Sequence, residues 1–148
     1  MKNHNTSLVY LAAGISLVGV AIHIAAIAGG PSWYAFFGAP PQIVASAQAG
    51  TWPAPVSAAG IAVLMGICAA YACSALGLVR RLPLLRTMLA GIATICLLRA
   101  LLLVPLAITH TELLNLFEVV AALTWGVAGI GFVAAFVMTS SRSATVPA

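Results

Sequence analysis

Charge is what this sequence has least of. Aspartate is absent, Glu112 and Glu118 are the only acidic residues, and charged residues make up 5% of 148 positions. An average soluble domain carries about 25%. So few charges cannot cover a water-facing surface, which excludes an ordinary soluble globule. The formal net charge of +4 rests on Lys2, Arg80, Arg81, Arg86, Arg99 and Arg142, too dispersed for a nucleic-acid footprint. Cysteine is scarce as well. Cys68, Cys73 and Cys96 lie inside apolar runs with no CxxC pair, so neither a zinc site nor a disulfide framework is indicated and they read as small packing residues. GxSxG, HExxH, phosphate-binding loop and CxxCH motifs are missing. Ser16 and Ser74 have no base within sequence reach. No catalytic residue, metal or cofactor is therefore expected.

Hydrocarbon-compatible sequence is abundant instead: 63% of residues are hydrophobic and the mean hydropathy is +1.14. Four runs are long enough to cross a bilayer, which takes about 20 apolar residues. They are Leu8 to Ala28, Val56 to Val79, Met88 to Ile108 and Leu114 to Met138. Open strands would leave backbone groups unpaired in lipid, and the alternation of a barrel strand is missing. The expectation is an all-α integral membrane four-helix bundle, a single domain over residues 1–148, with the lipid bilayer as its principal partner. Lys2, the loop 80–87 with its three arginines, and Arg142 in the tail 139–148 mark the cytoplasmic face, so both termini are inside. The first run also carries a small-residue pattern at Ala26 and Ala28, which leaves cleavage as a secretory signal as a competing reading.

The connection 29–55 is too apolar for a disordered linker and too long for a turn. Pro40 and Pro41 suit a helix start and Gly50 a stop, predicting a short interfacial or re-entrant helix from Pro41 to Ala49. Trp33, Tyr34 and Trp52 would anchor this outer loop among lipid headgroups. An aromatic lid over a ligand is the alternative.

Helices approach one another in lipid through small residues. Such stripes occur in the first run (Ala12, Ser16, Gly19, His23, Ala26) and the second (Ala58, Ala62, Gly66, Ala70, Ser74). In the fourth, Asn115, Glu118, Ala122, Trp125 and Gly129 share a face, opposite the lipid-compatible Leu116, Val120, Leu123 and Val127. Arg99 is the one cation inside a span, about 9 residues or 13 Å from the outer end of the third. An arginine there calls for a partner or a polar pocket. Glu118, roughly 7 Å deep in the antiparallel neighbour, lies within reach of a snorkelling guanidinium.

Two readings of these residues stay open. Arg99 and Glu118 would serve as internal glue that sets helix register, with His23 bonded to a backbone carbonyl. Alternatively His23, Arg99, Glu118 and Asn115 form a ligand or proton site. His110 and Glu112 read as solvated boundary residues. A haem between His23 and His110, or a bound quinone, is a third and weaker possibility.

The segment "HIAAIAGGPSWYAFFGAPPQIV", followed by "RRLPLLR", resembles small uncharacterised four-span inner-membrane proteins of Gram-negative bacteria. That resemblance implies a multi-pass protein of the bacterial inner membrane and brings no assigned activity or site. The expected function is that of a non-enzymatic accessory or oligomerising subunit, in contact with a second copy or another membrane subunit. The alternative is a small proton-linked transporter or lipid binder.

Overall fold

A computed structural model describes residues 2–111, 114 and 116–144. Among them every regular element is helical: α1 (Lys2–Gly29), α2 (Pro31–Phe36), α3 (Pro41–Gln48), α4 (Pro53–Leu76), α5 (Leu85–Leu101), α6 (Leu103–Thr109) and α7 (Leu116–Ala144). Four stretches are long and apolar enough to cross a membrane: His4–Gly29, Pro53–Leu76, Leu85–Thr109 and Leu116–Ser141. The chain has the make-up of an integral membrane protein.

Helix boundaries follow local chemistry. Pro31, Pro41 and Pro53 each open a helix, at a position where a missing N–H costs nothing. Gly50 and Gly77, with φ of 65° and 80°, end α3 and α4 in the same way. The N–H after each glycine returns to a carbonyl five residues back, Thr51 to Ser46 at 3.0 Å and Leu78 to Cys73 at 3.0 Å, the closure that a left-handed residue permits. The second span therefore stops at Leu76, before the expected Val79.

The third span, Leu85–Thr109, covers the expected Met88 to Ile108 but carries one irregularity. It breaks at Leu102 into α5 and α6. Pro105 is the cause: it has no N–H to offer the Leu101 carbonyl, and its ring crowds that same oxygen.

Contacts divide the chain into two compact units. The first comprises Met1–Ile15 and Cys68–Ala148. Its core joins Val9, Ala12 and Ala13 of α1, Ala72 and Ala75 of α4, Leu85, Leu89, Ile92, Ala93 and Cys96 of α5, and Ala128, Phe132, Ala134 and Ala135 of α7. Alanine dominates because thin side chains let helices approach where lipid supplies no hydrophobic drive. Glycines on α7 take this further. A Cβ on Gly131 would stand 2.5 Å from the Leu8 carbonyl oxygen and 2.6 Å from the Ala12 Cβ, and one on Gly129 would stand 2.8 Å from the Leu97 side chain. At the end of α4, Ser74 Oγ accepts the Leu82 N–H at 3.1 Å and donates to the Arg80 carbonyl, and Tyr71 donates to the Pro83 carbonyl. These bonds tie down the short basic loop.

The second unit is Ser16–Ile67. Here Ala26, Tyr34, Ala54 and Ala58 form a small core with Phe37, Ala39, Ile43, Val44 and Ala47 against it. Gly19 leaves room for the Met65 side chain, as Gly29 does for the Trp33 ring. Ser46 of α3 bonds Thr51 Oγ1 at 2.8 Å and accepts the Ala54 N–H at 3.1 Å, capping the first turn of α4 from a neighbouring helix.

Candidate functional site

The site begins with the packing of α5 against α7. Leu97 meets Gly129 and Ala100 meets Gly126, which sets an antiparallel register. Continued along both helices, that register leaves the Arg99 and Glu118 backbones offset by about 13 Å at 1.5 Å per residue. The two side chains close the gap by stretching toward one another, and Arg99 Nη2 donates to Glu118 Oε2 at 3.2 Å. Below the pair, Ala122 is buried, so the seam under the charges is lined by small residues.

Local electrostatics favour this placement. The break caused by Pro105 puts Arg99 in the last turn of α5, and Glu118 lies in the first turn of α7. A cation at a helix C-terminus and an anion at an N-terminus each align with the helix dipole. The ion pair thus lies where the negative end of one helix faces the positive end of the next.

The pair is not enclosed. Arg99 is 37% and Glu118 27% exposed at the side chain, in contrast to the buried pair expected from the sequence. Arg99 sits on the edge of the α5 seam: Cys96 and Ala93 are buried on one side of it, while Ile95, Leu98 and Leu102 are exposed on the other. On α7, Leu116, Val120, Leu123 and Val127 are all exposed, the opposite face that periodicity assigns to lipid.

The remaining candidate residues distribute as follows. His23 is half-buried on the α1 stripe, and its Nδ1 lies 2.8 Å from the Gly19 carbonyl oxygen. A carbonyl oxygen only accepts, so Nδ1 is the donor in this contact. Asn115 and Glu112 lie outside the described residues. His110 is exposed, and its backbone N–H closes α6 on the Leu106 carbonyl at 3.0 Å. Trp33 and Trp52 are exposed.

Tyr34 differs from its expected role as an anchor. It is only 6% exposed, because one residue along α2 from Trp33 turns the side chain by about 100°, into the space that Ala26, Ala54 and Ala58 leave open. Its hydroxyl is buried with no hydrogen-bond partner among the described residues, and burial pushes the phenol pKa above its ordinary value. The α4 stripe also shifts. Ala58, Ala62 and Ser74 are buried, but Ala70 is exposed and Ala69 takes its place. Strict spacing of four drifts about 40° per step around a helix of 3.6 residues per turn, so the true contact line alternates threes and fours.

The bonds of Ser46, Ser74 and Tyr71 were not legible in the sequence because they reach backbone groups of neighbouring segments. Among the described residues, no group of three or more His, Cys, Asp or Glu side chains converges to hold a metal. Comparison with protein families, with curated proteins and with solved structures finds no match.

Proposed function

We propose that this chain is a multi-pass protein of the bacterial inner membrane without enzymatic activity, an accessory or oligomerising subunit in which Arg99 and Glu118 hold α5 and α7 in register. The observation that carries this reading is the 3.2 Å ion pair between the last turn of α5 and the first turn of α7. Each charge is matched to its own helix end and to the other. Lys2, Arg80, Arg81, Arg86 and Arg142 face the cytoplasm. Trp33 and Trp52, both exposed, serve as anchors at headgroup level.

The test exchanges the charges. Arg99→Glu and Glu118→Arg alone place like charges together and lower thermal stability in detergent. The double exchange restores the pair with reversed polarity and recovers most of the loss. No recovery in the double variant overturns the register role.

A second reading is favoured by one observation, the partial exposure of both head groups: a proton or small-molecule site using Glu118 and Arg99. Proteoliposome flux that is pH-dependent and abolished by Glu118→Gln supports it. Equal flux from the variant removes it.

A further inference from the structure

Three of the six cationic side chains stand where α4 gives way to α5: Arg80 and Arg81 in the loop, and Arg86 in the first turn of α5. All three are exposed, and among the described residues none pairs with a carboxylate. Of the two acidic side chains in the sequence, Glu118 is engaged by Arg99 in the last turn of α5, and Glu112 lies outside the described residues. The loop and its supports belong to the first unit, and the second unit carries neither aspartate nor glutamate. Arg86 also stands at the positive end of its helix dipole, where a cation is disfavoured.

A topology signal needs only positive charge on one side of the membrane. This loop is built more firmly than that. Ser74 Oγ accepts the Leu82 N–H at 3.1 Å and donates to the Arg80 carbonyl at 3.3 Å, and Tyr71 donates to the Pro83 carbonyl at 3.1 Å. The backbone from Arg80 to Pro83 is thereby fixed to the end of α4. Arg86 is held in turn by the Phe136 ring of α7, with 5.5 Å from guanidinium carbon to ring centre. That contact positions the guanidinium while its N–H groups meet no oxygen among the described residues, leaving them for an oxyanion.

Apolar side chains stand among the arginines. Leu78, Val79 and Leu84 are 58%, 46% and 73% exposed. Leu84 has a φ of 51°, a left-handed conformation uncommon for leucine, and such strain clusters at binding sites. A free phosphate would satisfy the guanidinium groups and leave these side chains bare. A zwitterionic lipid would bring its own cation against three arginines. An anionic phospholipid meets both demands, with phosphate on the arginines and acyl chain on the leucines. We infer that the loop 77–84, with Arg86, is a binding site for the phosphodiester of an anionic phospholipid. This rests on the membrane-spanning make-up of the chain and is independent of the role of Arg99 and Glu118.

Native mass spectrometry of the full-length chain in detergent tests it. Offered dioleoyl-phosphatidylglycerol and dioleoyl-phosphatidylcholine in equal amounts, the parent should retain the anionic lipid about tenfold over the zwitterionic one, within what three arginines beside an anionic head group supply. Equal retention overturns the site. Replacing Arg80, Arg81 and Arg86 together by lysine keeps the charge that orients the chain but removes the planar fork that grips a phosphate, and the preference should fall to about threefold or less. Full preference in this variant leaves the arginines a topology signal only and overturns the site.

A second variant keeps every charge. Leu84→Asn suits the left-handed backbone and removes an acyl contact, so retention of phosphatidylglycerol should fall about fourfold, the effect of one buried CH₂ group. Unchanged retention overturns the lipid contact at the loop. Thermal unfolding separates the two sources of phosphate: phosphatidylglycerol should raise the unfolding temperature of the parent, and inorganic phosphate alone should not. An equal rise with inorganic phosphate assigns the arginines to a free anion and overturns the lipid.

Discussion

Arg99 and Glu118 meet at 3.2 Å although the α5 and α7 backbones that carry them are staggered along the helix axis. The stagger is set by Leu97 on Gly129 and Ala100 on Gly126. The charges do not determine how close the helices come; the glycines do. The charged side chains bridge the stagger that those contacts leave.

Removing one partner is expected to be worse than removing both. Arg99→Leu or Glu118→Leu leaves a single charge in a span and should lower stability by about 1–3 kcal/mol, less than a fully buried pair because both head groups are partly exposed. Arg99→Leu with Glu118→Leu should lose less than either single variant. Unfolding in detergent followed by tryptophan fluorescence measures the difference, and a double variant less stable than both singles contradicts it.

Gly131→Ala inserts a methyl against the Leu8 carbonyl and the Ala12 Cβ, two groups that have no flexible end to swing aside. A loss of about 1–3 kcal/mol is expected, as for overpacking in a tight interior. Gly14 and Gly91 have nothing within 4 Å of an added Cβ. Alanine there should be neutral, or stabilising by up to about 1 kcal/mol through helix propensity. The same unfolding assay separates the two classes.

Pro105→Ala supplies the missing N–H to the Leu101 carbonyl and removes the ring that crowds it. α5 and α6 should merge, and amide exchange at Leu102 and Leu103 should slow relative to the parent chain. Merging also moves Arg99 away from a helix end and weakens its dipole match. Unchanged exchange across the junction would show that something other than the proline holds the break.

Tyr34→Phe removes a buried hydroxyl that has no acceptor among the described residues and keeps the ring among Ala26, Ala54 and Ala58. Stability should rise by about 1 kcal/mol. The raised phenol pKa has a definite sign: the unfolded chain gives up this proton at lower pH than the folded one. Its contribution is therefore intact below about pH 10 and lost as pH rises through the folded value. The parent should show a loss of stability above about pH 10 that the Tyr34→Phe variant shows to a lesser degree. Equal alkaline profiles would mean that Tyr34 ionises outside the folded unit.

Much of this was readable from residue types in order. Four apolar runs, Pro41 with Gly50 around α3, and the exposed stripe of Leu116, Val120, Leu123 and Val127 all express local rules of length, turn chemistry and period. The meeting of Arg99 with Glu118 was readable too, because a short connection between antiparallel spans leaves an isolated cation few partners. Other features resisted for a physical reason. Pro105 breaks a helix, but apolar composition alone continues through it. Tyr34 and Trp33 are both amphipathic aromatics, and nothing local says which will turn inward. Ser46 caps a helix that starts seven residues later, so no capping pattern precedes α4.

Composition by itself determined that this chain belongs in a membrane: with 5% charged residues, no water-facing surface can be built, whatever the fold. Tertiary structure alone decided how far each polar group is covered. Exposure depends on which helices come close, and Gly129 and Gly131 admit Leu97 and the Leu8 backbone only once those helices have met. That is why Arg99, an isolated charge in the sequence, is one half of a partly exposed pair in the structure.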